Sequence, residues 1–462
     1  MESKLSPVAG APEDNEKRCL RNAPHASPVQ GEVASEGEPE GLLQRRYTMT
    51  IQLPYGNTTI PMDISPERVI TSNIGKLKGG DGSALVAQAM EAPIGSPKLS
   101  ELAAGKQTCT IIISDHTRPV PSRDILPHML AELRKGNPEI AVTLLVATGC
   151  HRGTTMAELT AKLGEGIVKN EKIVVHDAFD AASNVQIGIL PSGAPLVMDR
   201  LAVETDLLVS EGFIEPHFFA GFSGGRKSIL PGVCDKVTVY GNHCGAFIAD
   251  PKARTGVLEG NPIHRDIEAA AEMAKLAFSV NVVIDEEKRT VAAFAGDFRQ
   301  AHAAGVDFLR QYCQVSPIPA DIVVTTNGGA PLDQNLYQCV KGLTAAEATV
   351  KPGGTIILCA EMADGHGGEQ FYRDMRDCET PRALFETFCA TPQNQTVADQ
   401  WQTQILCRIL KDYRVIFVTR PGMRQIIEDM KLEYAPDLPT ALQMAGAGEI
   451  TVIPDGVSVC IC

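Results

Sequence analysis

The chain has 462 residues, 44% of them hydrophobic and 21% charged, with a formal net charge of −14. That length supports two or three domains with ample core, and the composition is that of an ordinary soluble protein. The negative balance with no basic face argues against nucleic acid or an anionic membrane as partner, and no apolar run approaches the ~20 residues that span a bilayer.

Residues 1–46 are rich in Glu, Pro, Ser, Ala and Gly and read as a disordered leader. They lack an apolar h-region and do not read as a secretory signal. Met49 opens the first strand-like run and is a candidate start in its own right. From residue 100 onward, short β-branched runs alternate with helical patterns. Thr108–Ser114, Ile140–Ala147, Lys172–Val175 and Asp206–Ser210 read as buried strands. Helices are expected at Arg123–Lys135 and Thr155–Leu163, the second with Thr155 and Glu158 as a capping box. Asn261–Lys275 reads as a further helix, with Asn261 as N-cap and Pro262 in the first turn. A second set of strands follows at Asp321–Thr325, Thr355–Cys359, Val415–Val418 and Glu449–Ile453. Helical patterns separate them at Gln334–Val350, Asp399–Lys411 and Arg424–Lys431. Such alternation predicts α/β architecture: two α/β domains with mostly parallel sheets and an active-site cleft between them. The expected division is 47–312 for the N-terminal domain and 313–462 for the C-terminal one, with Val315–Ala320 as the hinge. Ligands in such folds bind beyond the carboxyl ends of the strands.

Thirteen cysteines are scattered without CxxC spacing, which fits a reducing cytoplasm better than a disulfide framework. Cys109, Cys339 and Cys359 fall in apolar segments, where Cys acts as a small hydrophobe. Cys460-Ile461-Cys462 is either a soft-metal pair or simply the tail.

The chemistry-bearing residues sit at strand ends. Thr108–Ser114 runs into Asp115-His116-Thr117-Arg118-Pro119. Arg118 suits bidentate recognition of carboxylate or phosphate; a local ion pair or helix cap is the plainer reading. Ile140–Ala147 ends in Thr148-Gly149-Cys150-His151-Arg152-Gly153, placing a histidine where acid–base work is done. His217 follows Pro216 in a third such segment. Two histidines on separate loops at one sheet edge are what racemisation demands, one base for each face of a carbon. Gly221–Ser228 nearly imitates a phosphate-binding loop, but Arg226 stands where that pattern needs glycine, and no complete G-x-G-x-x-G occurs. Glycines there still allow close backbone approach to a bulky group. Lys227 can anchor a phosphate or bond to a carbonyl, and His243 can move protons or hold a metal. In the second half, Gln338 and Lys341 share a helix face and either hold substrate across the cleft or form a solvated face. Trp401, the only tryptophan, is either core or a cover for a flat cofactor.

Together, SDHTRPVP, ATGCHRG, EPHFFAGFSGGRKSILPG, YGNHCG and PLDQNLYQCVKG resemble the nickel-pincer-dependent lactate racemases, the 2-hydroxyacid racemase family. The resemblance covers residues 49–462. It implies a nickel(II) pyridinium-3,5-bisthiocarboxylate mononucleotide bonded to Lys227, with His243 as the protein's ligand to nickel. It implies His151 and His217 as alternating acid and base, and Asp115, His116, Thr117, Arg118 and Trp401 around the cofactor. It places Gln338, Lys341 and Tyr337, with Arg118, at the substrate. The implied reaction is isomerisation of D- and L-lactate by proton-coupled hydride transfer in the cytoplasm. Cofactor-maturation proteins are the implied partners. Alternatives are a racemase or epimerase for a larger acid (malate, 2-hydroxyglutarate, an aromatic or sugar acid) and a non-catalytic cofactor carrier, which would leave His151 and His217 unexplained. A zinc enzyme fits less well, because no three histidines show a ligand spacing.

Overall fold

The computed structural model describes residues 48–285 and 287–462; the expected leader lies outside them. The fold is α/β and is organised around two mostly parallel sheets. The first has six strands in the order Thr290–Gly296, Leu276–Ile284, Leu207–Phe213, Thr108–Ser114, Ala141–Ala147, Lys172–Val175. All are parallel except the edge strand Thr290–Gly296, which returns antiparallel to Leu276–Ile284. The second has five parallel strands, Glu433–Ala435, Arg414–Val418, Val350–Cys359, Ala320–Thr326 and Ile450–Ile453.

Period-two alternation explains why these runs are apolar throughout: both faces are covered. In Thr108–Ser114, Ile111 and Ile113 face one helix layer with Ile125, Leu126, Met129 and Leu133 of the helix Ser122–Gly136. Ile112 faces the opposite layer with Leu145 and Leu208. Each such fully buried side chain is worth about 1.5–3 kcal/mol. That second layer is continuous with Val323, Ile356, Leu358 and Phe417 of the five-stranded sheet, so one core joins the two sheets. The far face of the five-stranded sheet (Ile322, Val324, Ile357, Ile416) is covered by Leu53, Met62 and Ile64. These come from the antiparallel hairpin Met49–Tyr55 with Thr58–Ile64. The first described element thus completes the core of the sheet built last. At the expected hinge, Gln314–Val315 pairs in parallel with Cys460–Ile461.

Both sheets have a switch point, where successive connections leave in opposite directions. In the six-stranded sheet the chain passes from Thr108–Ser114 to Ala141–Ala147 on one side and later to Leu207–Phe213 on the other. The crevice at such a point is where an α/β fold receives its ligand. Among the described residues, no helix is long and apolar enough to cross a membrane.

Candidate active site

A cavity of about 380 Å³ opens at this switch point. Its wall takes Asp115 and Arg118 from the turn after Thr108–Ser114, and His151 from the turn after Ala141–Ala147. His217 and Lys227 come from the segment after Leu207–Phe213, and His243 from the end of the helix Lys236–Asn242. Tyr337, Gln338, Lys341 and Trp401 close it from the second half of the chain. The turn that carries His151 leads into a helix fixed by the expected capping box, with Thr155 and Glu158 each bonding the other's backbone.

Asp115 is almost fully buried, and its Oδ2 lies 2.8 Å from Nδ1 of His151. Thr117 donates its hydroxyl to Asp115 Oδ1 at 2.7 Å. Burial pushes the Asp115 carboxyl up. The His151 hydrogen bond and charge, the Thr117 hydroxyl and the Arg118 charge overcome that, so its pKa lies below the usual value. An ionised Asp115 can only accept, so His151 carries its proton on Nδ1 and leaves the Nε2 lone pair free. His217 is set the other way: the Ala220 N–H donates to its Nδ1 at 3.3 Å, so the neutral ring holds its proton on Nε2. Burial, followed by the charges of Lys227, Lys341 and Arg118, holds His217 well below the usual histidine range.

Lys227 lies in the single turn Gly225–Ser228, which is anchored by the Gly225 N–H donating to Asn281 Oδ1 at 2.6 Å. Gly224 before it has φ +92°, and a Cβ there would meet Ile214, Asn281 and the Phe213 carbonyl at 3.0–3.1 Å. Burial and the Arg118 and Arg226 charges hold the Lys227 amine well below its ordinary pKa, against the pull of Glu215. Arg226, the residue that breaks the phosphate-loop pattern, is wholly buried beneath the turn. Its guanidinium donates to the carbonyls of Phe222 and Gly224 and to His264 Nδ1, and its Nη1 lies 2.8 Å from His302 Nε2. It is a strut under the site, and burial lowers its pKa to about 10.

His243 is buried among aromatic rings, edge-on to Phe219 at 5.0 Å and to Trp401 at 5.1 Å. Its Nδ1 is buried with no hydrogen-bond partner. Burial and then Lys227 push its pKa down to about 3, so a lone pair stays available. Among the described residues, no three His, Cys, Asp or Glu side chains converge on a metal position. A single imidazole with an unpartnered nitrogen fits a metal that arrives with its other donors already attached.

Across the cavity, Asn335 caps the helix Leu336–Glu347 by accepting from the Gln338 N–H at 3.0 Å, which aims Gln338 and Lys341 inward. Tyr337 donates its hydroxyl to Asp399 Oδ1 at 3.0 Å. Asp399 itself adopts φ +61° immediately before the helix carrying Trp401.

Two of the expected residues stand outside the cavity wall. His116 turns away, with Nδ1 3.1 Å from the Thr154 hydroxyl and Nε2 4.0 Å from Glu158, while Thr117 reaches the site only through Asp115. Other wall residues went unread in the sequence: Glu215, Phe219, Tyr240 and Asp399. Glu215 had a signal, standing directly before Pro216-His217. Asp399 had none, since only its left-handed backbone and its tyrosine partner bring it in. Cys460 and Cys462 lie elsewhere, and every cysteine among the described residues is a free thiol.

The chain matches the lactate racemase N-terminal domain over residues 55–256 and the lactate racemase C-terminal domain over 315–461. It is 50% identical to the lactate racemase of Thermoanaerobacterium thermosaccharolyticum over 420 residues, covering 89% of this chain and 99% of that one. It is 48% identical to the lactate racemase of Lactiplantibacillus plantarum over 422 residues, covering 89% and 100%. The solved structure of the T. thermosaccharolyticum lactate racemase apoprotein superposes with a TM-score of 0.86 at 50% identity, over 90% of this chain and 100% of that one. A Thermotoga maritima protein at 20% identity shares the fold, with a TM-score of 0.60. By these matches across both halves, the chain belongs to the lactate racemase family.

Proposed function

We propose that this protein is an isomerase that interconverts D- and L-lactate, using a nickel-pincer nucleotide tethered to Lys227. The observation that carries the reading is the pair of imidazoles with opposite tautomers, His151 and His217, lining one cavity with three cations. Arg118 and Lys341 hold the substrate carboxylate, with Gln338 and Tyr337 beside them. His151, held by Asp115, takes the hydroxyl proton at Nε2. His217 presents its Nε2 toward the opposite side. Because the cations around His217 help to keep it uncharged, a bound carboxylate offsets their field and favours the doubly protonated ring, whose Nε2–H is the acid. To take a proton at Nε2 in the other direction the ring must first move its own proton to Nδ1, giving up the Ala220 bond.

The residues present fit the cofactor. Lys227 has an amine whose charged form is disfavoured by burial, as bonding a carbonyl carbon requires. His243 has an unpartnered nitrogen for nickel, and Trp401 and Phe219 flank that nitrogen's ring. When bound, the group supplies an acceptor for the hydride on the substrate's Cα. Enclosure between the two halves keeps water from the reacting carbon. The free thiols fit a reducing cytoplasm, and the proteins that build the nucleotide are the expected partners.

Reconstitution with purified nickel-pincer nucleotide and L-lactate, followed by chiral chromatography, is expected to show D-lactate rising to an equal mixture. Peptide mass spectrometry of the same sample is expected to place the adduct on Lys227. Turnover of a larger 2-hydroxy acid but not lactate overturns the substrate. An adduct on another residue overturns the tether, and an adduct with no turnover of any 2-hydroxy acid favours a carrier.

A further inference from the structure

The two loop–helix units that bring Arg118 and His151 to the cavity grip each other. The helix Met156–Leu163 follows the His151 turn, and from its last turn Lys162 reaches back to the Arg118 turn. Its Nζ donates to the Arg118 carbonyl at 2.9 Å and to the Val120 carbonyl at 3.3 Å. In return Arg123, from the first turn of the helix that follows Arg118, donates to the carbonyls of Ala161 and Thr160 at 2.8 and 3.4 Å. Both carbonyls belong to the last turn of Met156–Leu163; that of Thr160 also takes the Gly164 N–H, while that of Ala161 is one of the acceptors a helix end leaves open. The pairing is reciprocal, with each unit capping the other.

Lys162 is well placed to act on the turn. Burial lowers its pKa, and the negative charges that offset this are Glu211 and Asp115. Glu211 is buried on the central strand, where it accepts from the Ser122 hydroxyl at 2.6 Å, at the start of the Arg118 unit's own helix. The ammonium is therefore held between the strand, the Asp115–Arg118 turn and its own helix. Arg118 itself is exposed; its amide donates to the Asp115 carbonyl within the turn, and its carbonyl accepts from Lys162.

We propose that Lys162 is a positioning residue: by holding the carbonyls of Arg118 and Val120 from the helix that follows His151, it fixes the carboxylate-binding guanidinium relative to the base. This rests on the reading of Arg118 as the carboxylate clamp. Loosening the turn weakens ground state and transition state alike, so the effect falls on KM.

Lys162→Met keeps the packed stem and removes the donor. In the reconstituted enzyme, KM for lactate is expected to rise about tenfold with kcat within about twofold. Lys162→Arg, which retains a donor, is expected to fall between the two and carries the same test if the methionine variant does not fold. Lys169→Met, on the exposed face of the next helix, removes the same charge and is expected to behave as the parent. An unchanged KM in Lys162→Met, whether or not its melting temperature falls, overturns the proposal, as does a loss confined to kcat. Arg118→Lys separates the two claims: if it leaves KM unchanged, the clamp reading itself fails. If it raises KM while the Lys162 variants do not, only the positioning role fails.

Discussion

At the level of single residues, the site works by giving chemically identical groups different surroundings. His151 is half-exposed and tied to a buried carboxylate, while His217 is desolvated among cations. Replacing either with glutamine is expected to lower kcat by about 10²–10⁴-fold, the usual worth of a positioned acid or base. The Lys227 adduct should persist in both variants, which mass spectrometry checks. Arg118→Lys loses a planar fork and is expected to raise KM by about ten- to a hundredfold, the scale of a charged hydrogen-bond pair, measured as initial rates against lactate. The residues at strand ends were legible because polar groups following a buried β-branched run have one place to go. His116 and Thr117 show where that logic stops. Neighbours in a turn point in different directions, and a linear sequence does not say which side chain faces inward. Asp399 was unreadable for the converse reason, since a backbone conformation rare for aspartate carries it to Tyr337.

Elements deliver these residues with little slack. Gly224 combines a left-handed backbone with neighbours that would have to give way to a Cβ. Gly224→Ala is therefore expected to cost about 1–3 kcal/mol and to displace Lys227. Calorimetry of the apoprotein and the yield of adduct report the two effects separately. Asn335→Ala removes the cap of the helix bearing Gln338 and Lys341, at about 1 kcal/mol, seen as a lower unfolding midpoint in urea. The buried parallel strands stood out as apolar runs, and the predicted Thr108–Ser114 and Lys172–Val175 match their observed limits. The predicted Asp206–Ser210 stops short of the observed Leu207–Phe213, because Glu211 and Gly212 look like a strand's end although both are buried. Capping gave the helices away: Thr155 and Asn261 sit at the N-caps read from their side chains. Of the antiparallel pieces only the strand-like run opening at Met49 was read; its return Thr58–Ile64 and the strand Thr290–Gly296 were missed. Each pairs with its neighbour in sequence, but the apolar face of the first hairpin packs on residues far along the chain, Ile322 to Val452.

For the whole molecule, acid is the expected weakness. His264 and His302 are buried against Arg226; burial and then that charge push His264 down to about 3 and His302 well below its ordinary value of 6.5. The unfolded chain protonates both below about 6.5 while the folded one does not. For these rings stability is therefore level above that pH and is lost as pH falls: His264 contributes about 1.4 kcal/mol per unit down toward about 3, and His302 adds a loss in the same direction. The apoprotein's melting temperature should drop between pH 7 and pH 5, and a rise would contradict this account. The hairpin Met49–Ile64 carries a different consequence, one of timing. It leaves the ribosome early, yet Leu53, Met62 and Ile64 have no apolar surface to cover until residues 320–453 have been made. Contacts of such long sequence separation form slowly, and apolar edges left waiting invite aggregation. The nascent chain therefore has a vulnerable interval that the finished protein does not show. A fragment of residues 315–462 made alone is expected to be insoluble, and the same fragment fused to residues 47–65 is expected to be recovered in soluble form.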